Sequence, residues 1–475
     1  MTDQIHRPRR FGKSKQATAL ATLILVGSQF MVSMDATIVN VALPSMQDSL
    51  GLSGSALPWV VNAYALPFGG LLLLGARVGD YIGRRRVFIA GTLLFTLASL
   101  ACGLASTPIE LIAARGVQGV GAAAMSPVAM AILVAEFEGS QRNRVLGLWG
   151  AMSGLAGGVG MVAGGLLTSA SWRWNFLVNV PVGIAVLVGS ALLPAGRSRT
   201  VGRPDVIGAM LAAVGLSTIA YGLAIAGDSG WTTFSTLVFL GSGAMVVALF
   251  TLWQRRAEAP LVDLGILRNR SVSIGIVIVA ITGALGQVTY FTYTIYLQRE
   301  HGFDPVAAGF AFLPISIILF AASTRVQMLI AKVGLRQSLG AGLMLSAVGL
   351  LWSTRIGSDD SFASAFLGPS ILWSLGWGIA QATSFIAGAQ GTSSAESGTV
   401  SGLISTTYRL GGAIGLAAIL SIAAASSTVL QSGGTGGDLL DGLRAAWWAG
   451  AGLAFIGALL SCALPSPQRT STHIG

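Results

Sequence analysis

Runs of about 20 apolar residues, each long enough to cross a hydrocarbon core of ~30 Å as a helix, recur along the whole chain. Within lipid a backbone must satisfy its own polar groups, and runs of this length do so as helices. Fourteen runs lie near 17–43, 57–79, 86–105, 109–135, 145–168, 174–195, 206–226, 233–253, 271–297, 306–331, 336–356, 363–388, 399–427 and 443–464. The first follows a basic tail but is too long for a signal peptide and lacks a small-residue cleavage site, so it reads as a retained helix. An even number of spans puts both termini on one side. If that side is cytoplasmic it collects 21 of the 28 Lys and Arg residues, while the other receives four, Arg173, Arg299, Arg355 and Arg444. The bias satisfies the positive-inside rule, and one early span more or fewer would break it. The remaining three, Arg115, Arg325 and Arg409, fall within spans.

Composition excludes the other broad classes. Only 10% of the residues are charged, against about 25% in soluble domains, and the 64 glycines suit helices that approach closely in lipid. The net charge of +10 sits in short loops without interleaved aromatics, which argues against nucleic acid as a partner. Cys102 and Cys462 lie in apolar segments and give no disulfide framework, and His6, His301 and His473 fall in tails or a loop, so no metal site is expected. A primary pump would need a nucleotide site. The only fragment is Gly12-Lys13-Ser14, with Arg7 where the first P-loop glycine belongs and no strand before it. The spans offer no acid pair, no histidine and no nucleophile set for an embedded enzyme. Arginine outnumbers lysine 25 to 3, the bias of a high-GC bacterial genome, and the expected location is a bacterial cytoplasmic membrane.

The chain divides into a tail (1–16), an N-terminal six-helix bundle (17–195), a linker carrying two extra spans (196–270), a C-terminal six-helix bundle (271–464) and a second tail (465–475). The halves echo each other, since "YIGRRRVFIAGTLLF" after span 2 is similar to "KVGLRQSLGAGLMLS" after span 10. Such duplication marks transporters whose sites lie between repeats near the midplane.

Against this apolar background a few polar residues stand out. Asp35, in "SMDATIVNVALPS", lies well inside span 1, where a carboxylate costs about 2.5–3.5 kcal/mol on insertion scales. The other acids fall in tails, loops or span ends. Arg115, Gln118 and Gly119 share one face of span 4; an arginine this deep either ties down backbone carbonyls or takes part in a proton relay. Span 5 carries Gly150, Gly154 and Gly158 along one face and Gly160 and Gly164 along another, with Gly165 beside them, allowing close helix contact. Arg325 reads as snorkelling to the interface. Arg409 is deeper, with a cavity role and a carbonyl tether both open. Asn62, Tyr64, Gln118, Gln287, Tyr290, Tyr293, Trp373, Trp377, Gln381 and Arg409 are candidates to line a substrate cavity.

Four stretches go beyond composition: "DATIVNVALPSM" (35–46), "GARVGDYIGRRRV" (75–87), "RGVQGVGAA" (115–123) and "WRWNFLVNVPVG" (172–183). With "YLQREHGFDPVAAGFAFLP" (296–314) and "ESGTVSGLISTTYRLGGAIG" (396–415), the chain resembles the 14-span drug:proton antiporters of the major facilitator superfamily over nearly its whole length. The resemblance implies an all-α major facilitator fold of two six-helix bundles plus a central hairpin. It also implies a conformational latch at Gly79, Asp80, Gly83, Arg84 and Arg85, where a plain positive-inside anchor is the alternative. Departures are Ala76 for glycine, Tyr81 for arginine, Met161 where span 5 of the antiporters has proline, and Ala331 in place of an acid in the second-half loop. The implied function is proton-coupled export of a small lipophilic drug or antibiotic by alternating access, with Asp35 as proton carrier and Arg115 coupled to it. Desolvation favours the neutral acid and a nearby cation the carboxylate, so a change of surroundings can move the proton. No cofactor is expected beyond the proton gradient, and a monomer in the bilayer is expected. An importer or exporter of a specific metabolite on the same fold remains the alternative.

Overall fold

The computed structural model describes residues 15–137, 139–193, 204–262, 264–357, 361–390, 397–425 and 437–465, and among them it is helical without strands. The helices are α1 (Lys15–Leu50), α2 (Trp59–Ile82), α3 (Arg84–Leu104), α4 (Pro108–Glu136), α5 (Gly139–Ala170), α6 (Trp174–Leu177), α7 (Asn179–Gly189), α8 (Val206–Ser229), α9 (Phe234–Arg256), α10 (Arg270–Ile295), α11 (Pro305–Ala311), α12 (Leu313–Val333), α13 (Leu335–Ser353), α14 (Gly368–Gly388), α15 (Ser397–Ala425) and α16 (Gly437–Ser461). Among the described residues, twelve helices are long and apolar enough to cross a membrane. The other two expected spans, 145–168 and 336–356, fold as α5 and α13. In α5 Leu155–Ala170 is an apolar stretch, and Arg142 and Arg144 lie near the other end of the helix. In two expected spans a single residue with helical backbone separates consecutive helices, Val178 between α6 and α7 and Phe312 between α11 and α12.

Local sequence explains the helix ends. Thr107 accepts from the Glu110 amide while the Glu110 carboxylate accepts from the backbone of Thr107, a capping box that starts α4. Gly83 ends α2 at φ +108°, and Gly334 ends α12 at φ +86°, a conformation glycine adopts without steric cost. These two glycines occupy the same place in the echoed sequences, so the internal repeat is visible as a repeated turn.

Glycine also sets the helix spacing. A Cβ at Gly119 would run into the backbone of Tyr64, and one at Gly75 into that of Ala123, which brings α2 and α4 into backbone contact. The apolar core is shared unevenly. The half of α1 near Leu43 packs in one cluster with α10, α11, α14 and α16, whereas its first half, Ala21 to Val32, packs with α2 and α4. Helix α8 packs on α2, α9 and α15, while α9 stays largely open to the surroundings. Asp205 ties this hairpin together, accepting from the Gly208 amide at 2.8 Å, Trp253 Nε1 at 2.8 Å and Gln254 Nε2 at 2.6 Å.

The two halves meet at their basic-poor ends. Gln298 Nε2 donates to the Val41 carbonyl at 2.7 Å, and Arg299 reaches Asp48 at 2.5 Å. Gly165 and Gly309 hold α5 against α11, with no room for a Cβ at either position.

Candidate functional site

Asp35 is fully buried and meets three donors from two other helices, α4 and α7. Arg115 Nη1 donates to Oδ2 at 2.7 Å; Gln118 Nε2 and Asn179 Nδ2 donate to Oδ1 at 2.8 and 2.7 Å. The spacing of Arg115 and Gln118 on α4 delivers both to one carboxylate, and Arg115 Nη1 also donates to Gln118 Oε1 at 2.6 Å. Further contacts hold them in place. Arg115 Nε donates to the Val60 carbonyl at 3.0 Å, and Gln118 Nε2 to Ser99 Oγ at 2.7 Å. The guanidinium carbon lies 4.3 Å from the Tyr64 ring centroid and 5.6 Å from that of Phe176. Thus α1, α2, α4, α6 and α7 touch one ion pair, and α3 reaches it through Gln118.

The hydrogen bonds to Asp35 all come from donors. A protonated Asp35 would present an O–H that Arg115 cannot accept, and the amides of Gln118 and Asn179 accept it only by turning their oxygens toward Asp35. Burial makes the pair sensitive in both directions: removing one partner leaves the other charge uncompensated, at a cost of about 3–5 kcal/mol.

The span 5 glycines support the same turn of α1. A Cβ at Gly160 would press on Met34 and Thr37, and one at Gly164 on Ile38, so both face the segment bearing Asp35. Thr37 Oγ1 donates to the Ala156 carbonyl at 3.2 Å. Gly158 and Gly165 face the opposite way, toward Ser316 and Pro305 of the second half. The side-chain surroundings of Gly150 and Gly154 lie outside the described residues. Met161, in the place of the motif proline, is fully buried against α11.

In the loop after α2, Asp80 pairs with Arg84 at 2.8 Å, and Arg84 Nη1 donates to the Ala131 carbonyl of α4 at 2.9 Å. Arg85 Nε donates to the Ser190 carbonyl just beyond α7 at 3.1 Å. Gly79 faces Val128 of α4, and Gly83 makes the turn. In this conformation these contacts lie within the first half. Residues 391–396, ahead of α15, are outside the described set.

The cavity candidates separate into two sets. Asn62, Tyr64, Gln118, Tyr293, Trp373 and Trp377 are buried. Gln118 belongs to the Asp35 network. Tyr293 hydrogen-bonds Ser353 at 2.9 Å, and Trp377 Nε1 donates to the Thr282 carbonyl at 2.8 Å. Gln287, Tyr290, Gln381 and Arg409 are only half-buried, together with Tyr408, which accepts from Gln381 Nε2 at 2.7 Å. These five lie on α10, α14 and α15 of the second half, and Arg409 among them meets a ring of the first half, at Phe68. Arg325 is exposed near the basic-rich end of α12. An apolar groove of about 480 Å³ between α2 and the α8–α9 hairpin, lined by Trp59, Pro67, Met210, Tyr221 and Phe239 among others, contains none of the candidates.

Sequence reasoning missed Asn179, Ser99 and the Val60 carbonyl. Asn179 had a signal, an amide inside an apolar span within the "NVPVG" stretch; a serine and a backbone carbonyl had none.

Residues 25–416 match the description Major Facilitator Superfamily. The chain belongs to the major facilitator superfamily and is a multi-pass membrane protein. Among curated superfamily relatives, it is 36% identical over 417 residues to the cephamycin export protein CmcT of Amycolatopsis lactamdurans, covering 86% of each chain. It is 36% identical over 424 residues to the puromycin resistance protein pur8 of Streptomyces alboniger, covering 87% of this chain and 83% of that one. To the lincomycin resistance protein of Streptomyces lincolnensis it is 32% identical over 449 residues, covering 93% and 90%. Solved structures agree on the fold. A bacterial homologue of the human lysosomal transporter Spinster, inward-facing and unoccupied, superposes with a TM-score of 0.68 at 16% identity, over 95% of this chain and 97% of that one. A peptide transporter POT in complex with sulfate gives a TM-score of 0.68 at 15% identity, over 96% and 95%.

Proposed function

We propose that this superfamily member is a proton-coupled exporter of small antibiotic-like compounds, working by alternating access with Asp35 as the proton carrier. The observation that carries the reading is the fully buried Asp35–Arg115 pair at 2.7 Å, held by residues that also space the helices of the first half. Protonation of Asp35 releases Arg115, Gln118 and Asn179 from their shared acceptor and loosens α1 from α4 and α7; return of the carboxylate restores the pair. Relatives named for cephamycin export and for puromycin and lincomycin resistance support antibiotics as cargo and export as the direction.

We further propose that α5 and α13 cross the bilayer with the twelve apolar helices. That gives fourteen spans in two six-helix halves around the α8–α9 hairpin, both termini on the cytoplasmic side of a bacterial inner membrane. The Asp80–Arg84 unit braces α2 against α4 and latches the halves in one state of the cycle. Export needs no cofactor and no second copy of the chain. One charge moving through about 150 mV is worth roughly 3.4 kcal/mol, enough for about a 300-fold gradient of a neutral compound.

The test is transport in everted membrane vesicles. Accumulation of a substrate driven by an acid interior, absent in Asp35→Asn vesicles with equal protein content, is the expected result. Uptake into intact cells that collapses with the gradient would instead identify an importer.

A further inference from the structure

Of the three arginines within spans, Arg115 is paired and Arg325 reaches the surface at the end of its helix. Arg409 does neither. It lies near the middle of α15 and is half-buried. Its guanidinium carbon sits 3.7 Å from the centroid of Phe68, a fully buried residue of the first half. The side chain therefore crosses from the second half into the first, away from lipid. Among the described residues it has no carboxylate partner and donates to no carbonyl; the titratable groups that act on it are Tyr64 and Tyr408. The carbonyl tether that the sequence left open is absent here.

Tyr64 also carries Arg115 on its ring face at 4.3 Å, so Asp35, Arg115 and Arg409 form one electrostatic group of net charge +1. A cation held within a span without a counter-charge is unfavourable, and an anion arriving beside it removes that penalty. A second unused donor lies on α10, which packs against α15 one turn from Arg409. Gln287 Nε2 is buried without a hydrogen-bond partner, and a Cβ at Gly412, one turn beyond Arg409 on α15, would sit 3.6 Å from the Gln287 Cβ. One turn along α10 from Gln287, the half-buried Tyr290 offers a ring that already packs edge-on against Trp377 at 6.0 Å.

We propose that Arg409 anchors an anion subsite where α15 meets α2 and α10, and that the preferred cargo is an amphipathic aromatic acid. Its carboxylate pairs with Arg409 and accepts from Gln287, and its ring lies against Tyr290. This deepens the export reading and rests on it only in taking the occupant to be the transported compound. Because one anion leaves as one proton enters, each cycle moves two charges in the same electrical direction.

The test separates binding from transport. Dansylglycine and its methyl ester are titrated onto the purified protein in phosphatidylcholine nanodiscs, with fluorescence as the readout. The acid should bind about tenfold or more tightly than the ester; Arg409→Gln should abolish the difference and Arg409→Lys should retain part of it. Equal binding of acid and ester by the wild-type protein overturns the proposal, even where Arg409→Gln does not fold. So does an acid preference that survives in Arg409→Gln. Competitive loss of acid binding in phosphatidylglycerol nanodiscs would assign the subsite to a lipid headgroup and overturn it as a cargo site. Everted vesicles keep the two readings apart. Gradient-driven ethidium movement without any acid preference in binding defeats the subsite alone, while an acid preference without gradient-driven transport of any probe defeats the export reading alone.

Discussion

Replacing Gly164 by alanine should weaken both the fold and transport, whereas the same change at Gly157 on the same helix should not. At Gly164 a Cβ would lie 2.7 Å from the Ile38 carbonyl oxygen, about 0.7 Å short of ordinary contact, so α1 and α5 must part. Overpacking of this kind costs about 1–3 kcal/mol, offset by up to about 1 kcal/mol from the better helix propensity of alanine. At Gly157 no atom lies within 4 Å of the added methyl group, leaving only the propensity gain. The two variants should therefore differ by about 1–3 kcal/mol, with Gly157→Ala at or above wild type. Unfolding by titration with sodium dodecyl sulfate in mixed micelles measures the difference. Since Ile38 lies one turn from Asp35, gradient-driven transport by Gly164→Ala should fall as well. Equal stability and equal transport in the two variants would refute the claim that Gly164 sets the distance between these helices.

Arg115→Leu should destabilise the protein by about 3–5 kcal/mol, and the double variant Asp35→Asn/Arg115→Leu should recover much of that loss, because the cost is an uncompensated buried charge; the same titration checks both. Asn179→Leu removes one of two donors to Asp35 Oδ1 and should cost about 1–3 kcal/mol, with a change in the pH dependence of transport that a packing defect alone would not produce. Arg299→Ala breaks the exposed pair with Asp48 and its contact with the Pro44 carbonyl. A pair of this kind is worth up to about 1 kcal/mol, so the basic-poor ends should separate in up to about fivefold more molecules, as read by pulsed-EPR distances between labels at Ser53 and Phe303.

How much of this was legible beforehand depended on what a bilayer penalises. Spans and loops could be read because lipid demands long apolar helices and confines arginines to their ends, and Asp35 and Arg115 stood out as violations of that rule. That they touch depends on how α1 packs on α4, across a separation of 80 residues, which no local pattern encodes. Asn179 was passed over because a lone amide in an apolar run carries no periodic signal. The missing counter-charge of Arg409 is a three-dimensional fact: the sequence shows the charge, and only the fold shows that among the described residues it meets the Phe68 ring and no carboxylate. The echo between the loops after α2 and α12 was legible because the same turn requires glycine twice, at Gly83 and Gly334.

The most direct test of the central claim is the proton flux that accompanies substrate movement in proteoliposomes, compared between wild type and Asp35→Asn. The wild-type protein should move protons on addition of substrate. The variant should still exchange labelled for unlabelled substrate across the membrane while moving no protons. Substrate-triggered proton flux at the wild-type rate in Asp35→Asn would contradict the account.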